Sequence, residues 1–217
     1  FSVWQLLDET QSNVAIVVMA RSLSSVESPK TRLSDQIPSD KDRRRLYAAF
    51  LSDTITACRE IKEATFRLAS TPNGDTAGFL ELGVNNNELV IQRGADLGSR
   101  ESSIFENLFK AGFNKVVVIG SDAPTLPTVY IRQAIALVDK SSVVLGPSED
   151  GGYYLIGLAA PDQGIALPDL FTEIRWSTKS AFNDTLVAAK RSGMHVRLVP
   201  GWYDVDDGGG LLRLRCE

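Results

Sequence analysis

The residues best suited to chemistry are carboxylates set just beyond buried apolar runs. In KVVVIGSDAPTLP, Asp122 lies two residues after Gly120, where an apolar run ends. Ligands of open parallel sheets bind beyond the carboxyl ends of the strands. Pro124 and Pro127 stiffen the turn that presents the carboxylate. Such a group suits a hard cation, Mg²⁺ or Mn²⁺, that bridges substrate phosphates. It equally suits an Asp that hydrogen-bonds its own turn. A phosphohydrolase working through an aspartyl-phosphate would want a second Asp at position 124, where proline stands. A second acidic group, Asp204-Val205-Asp206-Asp207, precedes three glycines. Strand alternation would turn Asp204 and Asp206 to one side, where both can face a metal. The alternative is a solvated acidic turn.

Ser148-Glu149-Asp150-Gly151-Gly152-Tyr153-Tyr154 follows another buried run. Gly151 and Gly152 permit close approach of a ligand to the main chain, and Asp150 can orient an acceptor hydroxyl or take its proton. An ordinary Asp-Gly hairpin turn explains the same residues. After the first strand come Arg21 and then Lys30-Thr31-Arg32, cations suited to a di- or triphosphate. Arg43-Arg44-Arg45 reads as a solvated helix face, and His195, the single histidine, as structural. Trp4 and Trp202 read as packing, whereas Trp176 lies in a polar loop that can line a pocket.

These groups need a scaffold, and the chain is long enough to supply one. Its 217 residues, 43% apolar and 23% charged, are ordinary for a globular domain. Lys and Arg number 23 against 27 Asp and Glu, a net charge of −4 that argues against nucleic-acid binding. Two cysteines, Cys58 and Cys216, build no disulfide framework or four-thiolate zinc site. No run approaches the ~18 apolar residues of a membrane span. A cytoplasmic protein with no membrane partner is expected, and its oligomeric state is not legible. No G-x-G-x-x-G follows a strand and no P-loop motif occurs.

The pattern predicts strands at 14–19, 64–70, 88–92, 115–120, 142–147, 152–158 and 195–199. Helices are expected at 40–62, capped by Ser39 or Asp40, and at 103–110, 128–139 and 178–191. A polar loop spans 21–39, PNGD at 72–75 is a turn, and the tail should hold a short strand and a helical turn. Alternation of strands and helices argues a three-layer α/β/α sandwich with a mostly parallel mixed sheet. Residues 1–12 read as an N-terminal arm and 13–217 as one domain.

In order, VVMAR…PKTRL, QRGADLGSR, VVVIGSDAPTL, VVLGPSEDGGYYLIGL, LFTEIRWST and WYDVDD resemble the bacterial radical-SAM/selenodomain-associated transferases, the arsenosugar-biosynthesis type of glycosyltransferase. That family belongs with the GT-A-type nucleotide-diphospho-sugar transferases, whose fold it shares with phospholactate and molybdenum-cofactor guanylyltransferases. The resemblance spans roughly residues 13–207. It implies Mg²⁺ or Mn²⁺ on Asp122, Asp204 and Asp206, and a phosphate grip from Lys30, Thr31 and Arg32. It also implies a base or sugar contact from Gly94, Asp96, Leu97 and Gly98. Nucleotide contacts are further expected from Ala20, Arg21, Ser121, Gly151 and Gly152, with Asp150, Lys30 and Arg32 in catalytic roles. The expected activity is metal-dependent transfer from a nucleotide sugar to a small-molecule acceptor. The alternatives are a nucleotidyltransferase releasing pyrophosphate and a non-catalytic nucleotide-binding protein. Two departures stand out: SLSSVES replaces a Pro-x-Pro-Gly stretch, and Asp207-Gly208-Gly209-Gly210 replaces the helix-starting Thr-Pro. The second predicts a last helix that begins later or is less stable.

Overall fold

A computed structural model describes residues 13–24, 28–71 and 76–216. The expected arm at 1–12, Trp4 and the PNGD turn lie outside the described residues. Continuous apolar runs become central strands because both of their faces are covered. The seven strands are β1 (Val14–Ala20), β2 (Thr65–Ser70), β3 (Leu89–Ile91), β4 (Lys115–Gly120), β5 (Ser142–Pro147), β6 (Tyr153–Ala159) and β7 (His195–Leu198). They form one sheet in the order β3-β2-β1-β4-β6-β5-β7. All neighbours are parallel except β6, which runs antiparallel to both β4 and β5.

Alternate residues of each central strand feed two cores. Ile16, Val18, Val117 and Ile119 pack with α1 (Asp40–Arg59), α2 (Ala77–Glu81) and α4 (Thr128–Leu137). Ala15, Val17, Val116 and Val118 pack with α3 (Leu97–Lys110) and α5 (Ala181–Arg191) on the opposite face. The three-layer α/β/α architecture is therefore as expected. A third cluster, Phe50, Tyr203 and Val205, seats the C-terminal segment on α1. Among the described residues no helix is long and apolar enough to cross a membrane.

Several boundaries differ from the sequence reading. Helix α3 starts at Leu97, six residues early, because Asp96 caps it: its carboxylate accepts the Ser99 N–H at 2.7 Å. Gly98 in the first turn masks that start. Helix α1 ends at Arg59, and α5 begins at Ala181 rather than 178. Helix α2 was not expected; its five residues are too few to show a period. The expected tail strand reduces to one bridge between Ser148 and Trp202, so Asp204 and Asp206 are not strand residues. The last helix, α6 (Gly208–Leu214), does not begin late, since Asp207 caps it by accepting the Gly210 N–H at 2.9 Å. His195 is exposed at the start of edge strand β7.

Arg43-Arg44-Arg45 is only partly the solvated face expected. Arg43 is 8% exposed and donates through Nη1 to the carbonyls of Ile37 and Pro38, both at 2.7 Å. Arg44 donates to Leu23 O and Asp40. These two guanidiniums fasten the polar loop that carries Lys30 to the first turn of α1. Arg43→Ala would leave two carbonyls without their charged donor, each such bond contributing about 1.5–3 kcal/mol. We expect denaturant unfolding of Arg43→Ala to show a loss of about 2 kcal/mol or more, and a change within error would refute the fastening role.

Candidate active site

Strands β3-β2-β1 advance one way across the sheet and β4 continues on the other side of β1, so the chain reverses its direction of winding between β1 and β4. A crevice at such a switch point is the preferred ligand position in an open α/β sheet. Arg21 leaves β1 there and Ser121-Asp122 leave β4. Because β6 is antiparallel, its beginning, with Asp150 to Tyr153, reaches the same edge. The C-terminal segment is tied in by the Val205 N–H, which donates to Asp122 O at 2.8 Å.

At the centre of the crevice sits the Lys30 ammonium. It donates to Asp122 Oδ1, to Asp206 Oδ1 at 2.7 Å and to Val205 O at 3.0 Å. Its side chain is 2% exposed, against 41% and 36% for the two carboxylates. Lys30 reaches this place from a left-handed backbone, φ 56° and ψ 39°, a conformation costly for a residue with a Cβ. Burial alone would push its pKa down; Asp122 and Asp206 outweigh that and hold the ammonium above its usual range. The lysine read from sequence as a phosphate ligand therefore stands between two carboxylates read as metal ligands. Asp204 sits apart from the ammonium, with Oδ1 accepting the Ser148 hydroxyl at 3.2 Å.

Three adjoining cavities share Asp122 and Ser177. The first, about 290 Å³, is cationic at its rim: Arg21, Lys30 and Arg32 line it with Ser121, Tyr47 and Asp206. The second, of similar size, is lined by Glu101, Asp122, Asp150, Asp204 and Asp206, with Gly152, Tyr153 and Trp176 among its other walls. None of its lining residues is Lys, Arg or His. The third runs along the β1 and β4 ends past Ala20, Arg21, Gln92 and Arg100 to Glu101.

Of the expected nucleotide contacts, Gly94, Asp96, Gly98 and Gly151 do not line these cavities. Two of them hold a neighbouring loop instead. A Cβ at Gly98 would lie 2.6 Å from Phe171 O and 2.9 Å from the Trp176 ring, and one at Gly151 would lie 2.5 Å from Lys179 O. Gly151 also has φ +93°, which favours glycine. Both glycines thus let the loop carrying Trp176 and Ser177 close down on α3 and on the β5–β6 turn. Ser177 itself is left-handed at φ 60°, a strained residue facing all three cavities.

Sequence reasoning missed four participants. Tyr47 accepts the Arg21 N–H at 2.8 Å, and its hydroxyl lies 3.3 Å from Ser121 Oγ; burial pushes its phenol up to about 12. Its place on the apolar face of α1 looks like packing. Val205 contributes only a carbonyl, which no side-chain pattern reveals. Glu101 and Tyr153 meet across the sheet edge, Tyr153 Oη donating to Glu101 Oε2 at 2.6 Å. Burial pushes the Glu101 carboxyl up to about 7, against the opposing pull of the tyrosine bond. Only its charged position inside an otherwise apolar helix face hinted at Glu101.

No curated protein matches the chain in sequence. Residues 54–178 match the family model described as "Uncharacterized protein conserved in bacteria (DUF2064)". The chain belongs to the DUF2064 family. The matched segment of this DUF2064 chain includes Asp122 and Asp150 but neither Lys30 nor Asp204–Asp206. A crystallised candidate nucleotide-diphospho-sugar transferase from Desulfovibrio desulfuricans G20 superposes with a TM-score of 0.83 at 28% identity, over 94% of this chain and 87% of that one. A nucleotidyl transferase from Methanothermobacter thermautotroptrophicus gives 0.53 at 15% identity, over 94% and 96%. Rv0371c of Mycobacterium tuberculosis H37Rv, in complex with manganese, gives 0.50 at 17% identity, over 93% and 97%. The two more distant likenesses show the fold alone, and DUF2064 here has the architecture of a nucleotide-diphospho-sugar transferase.

The raised Glu101 pKa sets a stability test. Below about pH 4.5 native and unfolded states both hold the proton; between there and about 7 only the native state does, so this group's contribution falls as pH rises. Glu101→Gln removes that dependence. From pH 5 to 8 the native protein should lose about 2.5 kcal/mol relative to Glu101→Gln, read from denaturant midpoints. Parallel pH profiles would contradict it.

Proposed function

We propose that this transferase moves a group from a nucleotide-activated donor bound over the β1–β4 edge, that the donor is a nucleotide sugar, and that the acceptor is a small molecule. The observation that carries the reading is the convergence of Lys30, Asp122 and Asp206 at the floor of a cavity rimmed by Arg21 and Arg32. Two carboxylates aimed at one cation, beside arginines suited to a diphosphate, match the needs of a donor that leaves as a nucleoside diphosphate.

Among the described residues no group of three or more His, Cys, Asp or Glu is placed to hold a metal. A catalytic Mg²⁺ or Mn²⁺ is commonly held by one or two carboxylates, with water and substrate phosphates completing its shell. Asp122 and Asp206 fit that donor set, since both already direct an oxygen at one cation, the Lys30 ammonium. A metal held by Asp122 and Asp206 would supply neutralisation of the diphosphate's charge. Lys30, turned from the carboxylates to the phosphates, and Arg32 stabilise the charge that develops on the leaving group. Asp150 lines the acidic cavity, with Oδ1 fixed by the Gly152 N–H at 2.8 Å and Oδ2 left to orient an acceptor hydroxyl or take its proton. Asp204, on the same wall, is a further metal or acceptor ligand. The finer resemblance to radical-SAM/selenodomain-associated glycosyltransferases belongs to this same reading.

The test is donor turnover with Mg²⁺ or Mn²⁺ across nucleotide sugars and nucleoside triphosphates. Release of a nucleoside diphosphate from one nucleotide sugar is expected; pyrophosphate from a triphosphate would instead make the protein a nucleotidyltransferase. Asp122→Asn should lower metal-dependent turnover at least about 100-fold, as loss of a charge-stabilising group does, while circular dichroism stays unchanged. Full activity in that variant would remove Asp122 from the site.

A further inference from the structure

Among the described residues, three other than glycine hold a left-handed backbone: Lys30, Glu173 and Ser177. That conformation crowds a Cβ, and glycine adopts it at lower cost. For two of the three the partner of the side chain is in view. The Lys30 ammonium meets Asp122 and Asp206, and the Glu173 carboxylate accepts from Arg191 Nη1 at 2.6 Å. The Ser177 hydroxyl has no hydrogen-bond partner among the described residues, although its neighbours are engaged. The Thr178 hydroxyl donates to Arg175 O at 2.7 Å, and the Trp176 N–H donates to Ile174 O at 2.9 Å.

The loop that carries Ser177 is braced from both sides. Arg175 donates to Asp184 through Nε at 2.9 Å and Nη2 at 2.7 Å. Gly98 and Gly151 seat the loop, since a Cβ at either would meet Phe171 O or Lys179 O at 2.6 or 2.5 Å. The loop therefore cannot yield to relax Ser177, and strain kept in place by its surroundings marks functional positions. Ser177 and Asp122 are the two residues that line all three cavities of the crevice. Of the Trp176 loop, Ser177 alone lines the cationic cavity. The strained backbone thus places an unengaged hydroxyl where the phosphate-binding end and the acidic end join.

We propose that Ser177 is a further catalytic residue, its hydroxyl donating a hydrogen bond to the donor phosphate oxygen that gains charge as the transferred group leaves. An uncharged donor suits this junction. A further ammonium there would pair with Asp122, whereas a hydroxyl leaves Asp122 and Asp206 free for a cation. A donor fixed in advance at charge that develops in the transition state raises kcat more than it tightens binding. The inference deepens the proposed transferase reading and rests on it. It also explains why a serine stands where glycine would be the less strained residue: glycine has no hydroxyl to supply.

The experiment compares Ser177→Ala, Ser177→Gly and Ser180→Ala in the whole chain. The readouts are thermal midpoint, calorimetric titration with UDP and GDP in Mg²⁺, and kcat and KM for the nucleotide sugar or triphosphate that the native protein consumes. Both Ser177 variants lose the hydroxyl, but only glycine releases the backbone strain, so Ser177→Gly should raise the midpoint and Ser177→Ala should not. Both should nevertheless lower kcat to the same extent, at least about tenfold, with KM changed less than about threefold. Ser180 provides no side-chain cap to α5 and lines none of the three cavities, so Ser180→Ala should keep the native kcat. Native kcat in Ser177→Ala, a loss that Ser177→Gly restores, a change confined to KM, or an equal loss in Ser180→Ala would overturn the role of the hydroxyl and leave the transferase reading intact. A native protein that neither binds UDP or GDP nor consumes any nucleotide donor would overturn the transferase reading itself.

Discussion

A lysine side chain only 2% exposed is tolerable only while its charge is answered, and that requirement organises the crevice. Three oxygens answer it, from Asp122, Asp206 and the Val205 carbonyl. They come from two distant parts of the chain, one after β4 and two from the C-terminal segment, and Lys30 itself comes from the loop after β1. Removing one partner of a buried pair leaves an uncompensated charge at a cost of about 3–5 kcal/mol, lowered here by the partial exposure of the carboxylates. The pairing therefore fixes where the loop, the strand end and the tail meet. Arg43 and Arg44 hold the loop from the side of α1, and Phe50, Tyr203 and Val205 hold the tail from below.

The same arrangement divides the crevice electrostatically. Arg21, Lys30 and Arg32 line the first cavity, and no Lys, Arg or His lines the second. Asp122 and Asp206 line both. The cationic end and the acidic end of one cleft are thereby held apart, with Asp122 and Asp206 between them. The antiparallel β6 makes this possible, since its reversed direction brings Asp150, Gly152 and Tyr153 to the edge where the parallel strands end.

The layers of the fold were legible because buried strands such as VVVIG and SVVLG announce themselves as uninterrupted apolar runs, and the acidic residues after them stand out against that background. The start of α3 was not, because Gly98 interrupts the helical pattern where the Trp176 loop must approach closely. Asp122, Asp206 and Lys30 were each legible as single residues, but their mutual contact was not: they are separated by 92 and 84 positions, and no local period links them. Gly98 and Gly151 were read as ligand contacts, since a glycine needed for loop packing and one needed for a ligand look alike in a sequence. Glu101 shows the opposite failure, for its burial depends on Tyr153, 52 residues away.

Mn²⁺ binding by the nucleotide-free protein, followed by electron paramagnetic resonance in the native chain and in Lys30→Met, tests the central claim most directly. If the ammonium holds the cation position between Asp122 and Asp206, removing it should raise Mn²⁺ affinity at least tenfold. Equal or weaker affinity in Lys30→Met would contradict the account, because the two carboxylates would then not share one cation position with the lysine.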